Sequence, residues 1–77
     1  MMKLRVVGMQ GAQEFVEIKT VTMPSENGEI TVLQGHENMI VKLNDGTITF
    51  TNAKGTVKTI EIDNSVALIK NNLIEII

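Results

Sequence analysis

Residues 21–36 read VTMPSENGEITVLQGH. The stretch parses as strand, tight turn, strand and then a sharp corner at Gly35 and His36. Glu26, Asn27 and Gly28 make the turn, where an Asn-Gly pair can supply the positive φ angles of a tight hairpin. Pro24 belongs at a strand end or edge, because proline cannot donate to a central ladder. Gly28 opens the second strand, and Glu29 is carried out of the turn on it.

Outward from this segment the same grammar repeats. Val, Ile and Thr are abundant, and they favour pleated, half-buried surfaces. Turn signals recur about every eight to twelve residues, the spacing of sandwiches and barrels. They fall at residues 8–11, at the Gly35 corner, at Asn44, Asp45 and Gly46 (a strong hairpin signal), at residues 52–55 (a longer loop), at residues 63–65, and at Asn71 and Asn72. Between them, Ile48 and Phe50 share one face against threonines on the other. Ile60 and Ile62 point inward, with Lys58 on their parity at the core edge. Val66 and Leu68 share a parity, as do Ile74 and Ile76. These patterns predict half-buried strands of period two. No segment has a useful 3.6-residue period. The expected fold is all-β, a small antiparallel β-sandwich of about eight to ten short strands in two sheets, filling residues 1–77 as one domain.

Size and composition set bounds. The chain has 77 residues and no cysteine, so no disulfide supports it. A core of this size leaves a margin of only about 3–5 kcal/mol. Binding of the folded state by a partner would add to that margin. Hydrophobic residues are 43% and charged residues 21%, a globular balance, with Phe15 and Phe50 the only aromatics. The core is therefore expected to be aliphatic. A net charge of −2 argues against nucleic acid and against a polybasic membrane anchor. No run approaches the roughly 20 apolar residues of a membrane span. The first residues, MMKLRVVG, read as a first strand rather than a signal peptide.

Chemistry-bearing constellations are scarce. His36 is the one histidine, and without a second His or a Cys no metal set forms around it. No serine sits in a nucleophile elbow, and residues 8–11, GMQG, lack the Lys and Ser/Thr of a phosphate loop. No catalytic residue, cofactor, metal or small-molecule substrate is assigned. A small enzyme, a single-stranded nucleic-acid binder with so few aromatics, or a sugar-binding module without tryptophan are weak readings. A generic small β-sandwich adaptor or ligand-binding module is the alternative kept.

One apolar pattern points to a partner. Met39, Ile40 and Val41 are consecutive, and a strand cannot aim all three at one core. Alternation with Lys42 puts Met39, Val41 and Leu43 inward and Ile40 outward. Ile40 is then either covered by a loop of the same domain or completed by another subunit. Residues 73–77, LIEII, pose the same question.

The motif at 21–36 resembles a signature of the epsilon subunits of rotary ATP synthases, roughly V-T-x-P-x-x-x-G-E-x-x-V-L-x-G-H. The resemblance extends through residues 3–7, 60–69 and 71–77. It implies the family's N-terminal β-sandwich, without catalysis of its own, as a coupling part of the central stalk. The partners it implies are the gamma subunit and the c-ring, at the cytoplasmic face of the bacterial inner membrane as a peripheral part of the complex. Matched position by position, Gly28, Glu29 and Ile30 stand at the tip facing the c-ring. His36 stands at the gamma-facing corner, and Ile40 joins it as the outward apolar residue. Pro24 and Leu33 match positions of structural character. Ser25, Thr31, Gln34, Asn38, Asn64 and Ser65 depart from the usual residues, which bears on contact details more than on fold. The family's helical hairpin, its regulatory part, has no counterpart in these residues. A naturally short chain is expected, and hairpin-based inhibition and ATP sensing are not expected to transfer.

Overall fold

The computed structural model describes residues 1–8 and 11–77. Met9 and Gln10, in the expected turn at 8–11, lie outside the described residues. The strands are β1 (Met2–Gly8), β2 (Gly11–Ser25), β3 (Gly28–Leu33), β4 (Met39–Lys42), β5 (Gly46–Asn52), β6 (Val57–Ile62), β7 (Val66–Lys70) and β8 (Leu73–Ile76). No helix occurs among the described residues.

The strands form one continuous hydrogen-bonded path, β4-β7-β8-β1-β2-β5-β6, with β3 also on β2. This refines the expectation of two separate sheets of short strands, and the reason is β2. It is 15 residues long. Its first part pairs with β1, from Gly11 opposite Gly8 to Ile18 opposite Met2. Its last part pairs with β3 on one side and β5 on the other. Register shifts interrupt both the β1 and the β5 ladders near the middle of β2. There Glu17 adopts a positive φ of 55°, and its carbonyl accepts the Ala53 amide at 2.9 Å. An irregularity of this kind bends a strand and re-aims it. β2 thus leaves one layer and enters the other.

Burial shows that the path folds over itself. Leu4, Ile18, Val21, Met23, Val32, Leu43, Ile48, Ile74 and Ile76 are essentially fully buried. Val41, Ile62, Ala67 and Ile69 are buried too, so all eight strands send side chains inward, which an open single layer cannot hide. The smallest Cα extent, 19 Å, accommodates two layers about 10 Å apart. Phe50 joins the aliphatic core, and its ring centroid lies 4.8 Å from that of Phe15 at a 52° tilt, a favoured aromatic geometry. The Lys58 ammonium sits 5.9 Å from the Phe15 centroid.

Ile48, Phe50, Ile62, Ile74 and Ile76 face the core as their alternation predicts, with Ile60 partly buried beside them. Three expectations change. First, Asn44, Asp45 and Gly46 do not make a hairpin. β4 pairs with β7, while β5 pairs with β2 and β6. The Asn44 amide instead donates to the Pro24 carbonyl at 2.9 Å, and the Glu26 amide to the Lys42 carbonyl at 3.3 Å. These bonds join the end of β2 to the end of β4 and close that side of the fold. Gly46 fits because a Cβ there would meet the Pro24 ring at 3.2 Å. Second, β8 runs parallel to β1, from Leu73 opposite Lys3 to Ile76 opposite Val6. Third, in β7 the core takes Ala67 and Ile69, which leaves Val66 and Leu68 half-exposed on the other face.

Candidate functional site: a tip, a corner and an uncovered sheet face

The tip is the β2–β3 hairpin. Ser25 pairs with Gly28 across a two-residue loop, and the positive φ falls on Gly28 (115°), not on Asn27. The Ser25 hydroxyl donates to the Gly28 carbonyl. Glu29 stands opposite Pro24 and is exposed. Pro24 lies near the end of β2, past the last β2–β5 pair at Thr22, where its missing N–H interrupts no pairing with β5, and its carbonyl accepts the Asn44 amide. Ile30 is half-buried and packs on the core, so it supports the tip from beneath. Glu26 reaches Lys42 at 3.4 Å, which ties the tip to β4.

The corner follows β3. The His36 amide closes the turn on the Leu33 carbonyl at 3.2 Å, and Gly35 has φ 83°. The His36 ring donates from Nδ1 to the Glu37 carbonyl at 2.8 Å, because a carbonyl can only accept. Leu33, expected as a structural position, has a side chain 55% exposed, and Val32 takes the core place. The part Leu33 plays in the turn is its carbonyl.

Across the molecule the β7–β8 hairpin meets this corner. Asn71 and Asn72 both have positive φ, 49° and 63°, the pair a type I′ turn requires. The Gly35 amide donates to Asn72 Oδ1 at 3.1 Å, the Asn71 amide to Asn38 Oδ1 at 3.4 Å, and the Lys3 amide to the Asn72 carbonyl at 2.9 Å. Asparagine suits these positions twice over, through its tolerated backbone and its side-chain acceptor.

Tip and corner lie at opposite ends of β3. At 6 residues that strand holds them about 20 Å apart. β4 runs back from the corner toward the tip, and Ile40 lies on its outer face. Ile40 is 75% exposed, and no loop covers it. Met39 has the inward parity but is 38% exposed, since β4 is an edge strand whose pairing is confined to β7. The ladders extend the face sideways. Ile40 stands opposite Leu68, Leu68 opposite Glu75, and Glu75 opposite Arg5. In the next row toward the corner, Lys70 stands opposite Leu73 and Leu73 opposite Lys3. In the row toward the tip, Lys42 stands opposite Val66. This sheet carries apolar residues on both faces, and on the outer one they stand between charged side chains. The outer apolar residues beyond Ile40 were visible in the sequence as LIEII, and in β7 were hidden by an unbroken apolar run. A hollow of about 540 Å³ lined by Met39, Ile40, Leu68 and Lys70 lies along this face.

Among the described residues no three His, Cys, Asp or Glu side chains gather into a ligand set. What the arrangement offers is recognition: a charged tip, a braced corner and a sheet face that would gain from being covered.

The sequence profile of the ATP synthase, Delta/Epsilon chain, beta-sandwich domain matches residues 1–77. The chain belongs to this family. An ATP synthase epsilon chain of Wolinella succinogenes is 33% identical over 63 residues, covering 82% of this chain and 48% of that one. One from Endomicrobium trichonymphae is 41% identical over 54 residues, covering 70% and 39%. The chain thus spans less than half the length of these epsilon relatives. Among solved structures, a chain in the Euglena gracilis mitochondrial ATP synthase, described as OSCP/F1/c-ring, superposes with a TM-score of 0.84 at 19% identity over 95% of this chain and 47% of that one. A chain in the central stalk/c-ring of the Tetrahymena thermophila enzyme gives 0.79 at 11% identity, over 97% and 60%. At these identities the likeness is one of fold, and the epsilon-type sandwich is the fold shared.

Proposed function

We propose that this domain is a non-catalytic coupling element of a proton-translocating rotary ATP synthase, joining the gamma subunit to the c-ring in the central stalk. The observation that carries the reading is the uncovered outer face around Ile40, on a domain whose family relatives are epsilon chains. An exposed apolar sheet face of this kind suits a standing protein partner. His36 and Ile40 would meet gamma at the corner end. Glu29, with Gly28 and Ile30 shaping its hairpin, would offer a carboxylate to basic or polar groups of the c-ring loops. The complex would sit at the cytoplasmic face of a bacterial inner membrane, with this domain peripheral to it. Transmission of rotation needs stiff contacts, and the fixed registers and packed core of the sandwich supply them.

The test is co-elution with separately purified cognate gamma subunit on size exclusion. A stable one-to-one complex, lost on substitution at His36 and Ile40, is the expected result. No association at micromolar concentration rejects the role and turns attention to a ligand-binding module. Glu29→Lys should leave the melting curve of the domain unchanged and weaken its hold on the c-ring. A matching loss of thermal stability would make Glu29 a residue of the fold instead.

A further inference from the structure

The outer face is basic on an acidic chain. Its outward side chains on β4, β7, β8 and β1 include Lys42, Lys70, Lys3 and Arg5 against the single carboxylate of Glu75, while the whole chain carries −2. The charges are also unevenly paired along the strands. Toward the tip, Lys42 already has Glu26. Toward the corner, Lys70 and Lys3 flank Leu73 in register, and among the described residues neither forms an ion pair. One row in, Arg5 meets Glu75 at 3.7 Å, and its Nε is buried with no hydrogen-bond acceptor. A buried donor left without an acceptor is unfavourable in the free domain. All three cations lie on the outward parity of their strands, and Lys3 and Lys70 serve no ion pair among the described residues.

We infer that Lys3, Lys70 and Arg5 are a charge-reading rim, selecting a segment of the gamma subunit whose apolar contact with Leu73 and Leu68 is flanked by carboxylates. The inference rests on the coupling role proposed above and adds the chemistry of the partner surface. A second copy presenting the same face would bring like charges together, which disfavours self-pairing. An anionic lipid surface is recognised by clusters of roughly four to eight basic residues, whereas here apolar side chains and Glu75 separate the cations. The rim adjoins the corner braced by Asn72 and Asn38, so it continues the surface assigned to gamma.

The experiment compares three proteins by calorimetric titration against purified gamma at low and high ionic strength. These are the wild-type chain, Lys3→Glu with Lys70→Glu, and an equal-charge control of Lys19→Glu with Lys54→Glu. All four lysines are exposed, so melting curves should agree and exclude misfolding. The rim variant is expected to bind about tenfold or more weakly, the control like wild type, and wild-type affinity to fall with salt. Equal affinities for all three overturn the rim inference and leave the coupling role standing. Absence of any wild-type complex overturns the coupling role, and the rim with it. Binding of wild type to anionic phospholipid vesicles, lost in the rim variant while gamma affinity is unchanged, reassigns the rim to lipid and also overturns the inference.

Discussion

Ile74 and Ile40 are the same residue type on opposite faces of one sheet. Ile74 points inward from β8 and is fully buried, whereas Ile40 points outward from β4 and is 75% exposed. Around Ile74 lie Leu4 and Ile69 in register. Around Ile40 lie Leu68 and, one strand on, a carboxylate. Both neighbourhoods are apolar enough to want a cover. Only the inner one receives it from this domain. Hydrophobic patterning states what must be covered, and topology decides what does the covering.

The sharpest way to break this comparison is to truncate the inner residue. Ile74→Ala should cost about 2–5 kcal/mol through lost burial and a residual cavity. In a domain this small that is a large share of its stability. Denaturant unfolding of the isolated chain measures it. A cost below about 1 kcal/mol would mean that the inner face is not the core. Second in size is Asn72→Ala, which removes an acceptor for the Gly35 amide and puts alanine at a φ of 63°. A loss of about 1–2 kcal/mol is expected, with faster amide exchange at Gly35. Unchanged exchange at Gly35 would show that the hairpin does not brace the corner. Third, Glu17→Gly should raise stability by about 1 kcal/mol, since glycine takes a φ of 55° without steric penalty. A loss instead would assign the Glu17 side chain a role in the bend. The smallest effect on folding is Ile40→Ala, within about 0.5 kcal/mol of wild type. Its weight should appear in gamma binding. If Ile40→Ala and Ile74→Ala unfold alike, the contrast between the two faces is gone.

Much of this was legible from residues alone, and the failures have local causes. Ile48 and Phe50 were readable because threonines separate them. β7 was not, because Val66, Ala67, Leu68 and Ile69 are apolar on both parities, and the core chose the set that includes the smaller Ala67. Asn44, Asp45 and Gly46 have hairpin chemistry, and the chain does turn there. Turn chemistry says nothing about which strands pair, and Asn44 bonds to Pro24, far back in the chain. The long β2 hid for a related reason. Its bend rests on Glu17, a residue type that does not advertise a left-handed backbone. For the site, Ile40 was placed outward by alternation and Glu29 was read as a charged tip after the turn, and both are exposed. Leu33 was read as structural, yet it is the carbonyl rather than the side chain that serves the corner. The row of Lys70, Leu73 and Lys3 could not be seen in advance, because it exists only once β8 has docked parallel between β7 and β1.

That parallel docking also fixes how the domain bears load. β1 and β8 run side by side in the same direction, joined from Lys3 opposite Leu73 to Val6 opposite Ile76. A force entering at the start of β1 and leaving at the end of β8 would slide one strand along the other. The bonds between them would then be strained together in shear, not opened one after another like a zipper. Single-molecule pulling between those two points should therefore need more force than peeling β3 from β2 at its corner end. The opposite ranking would place the mechanical strength elsewhere in the fold.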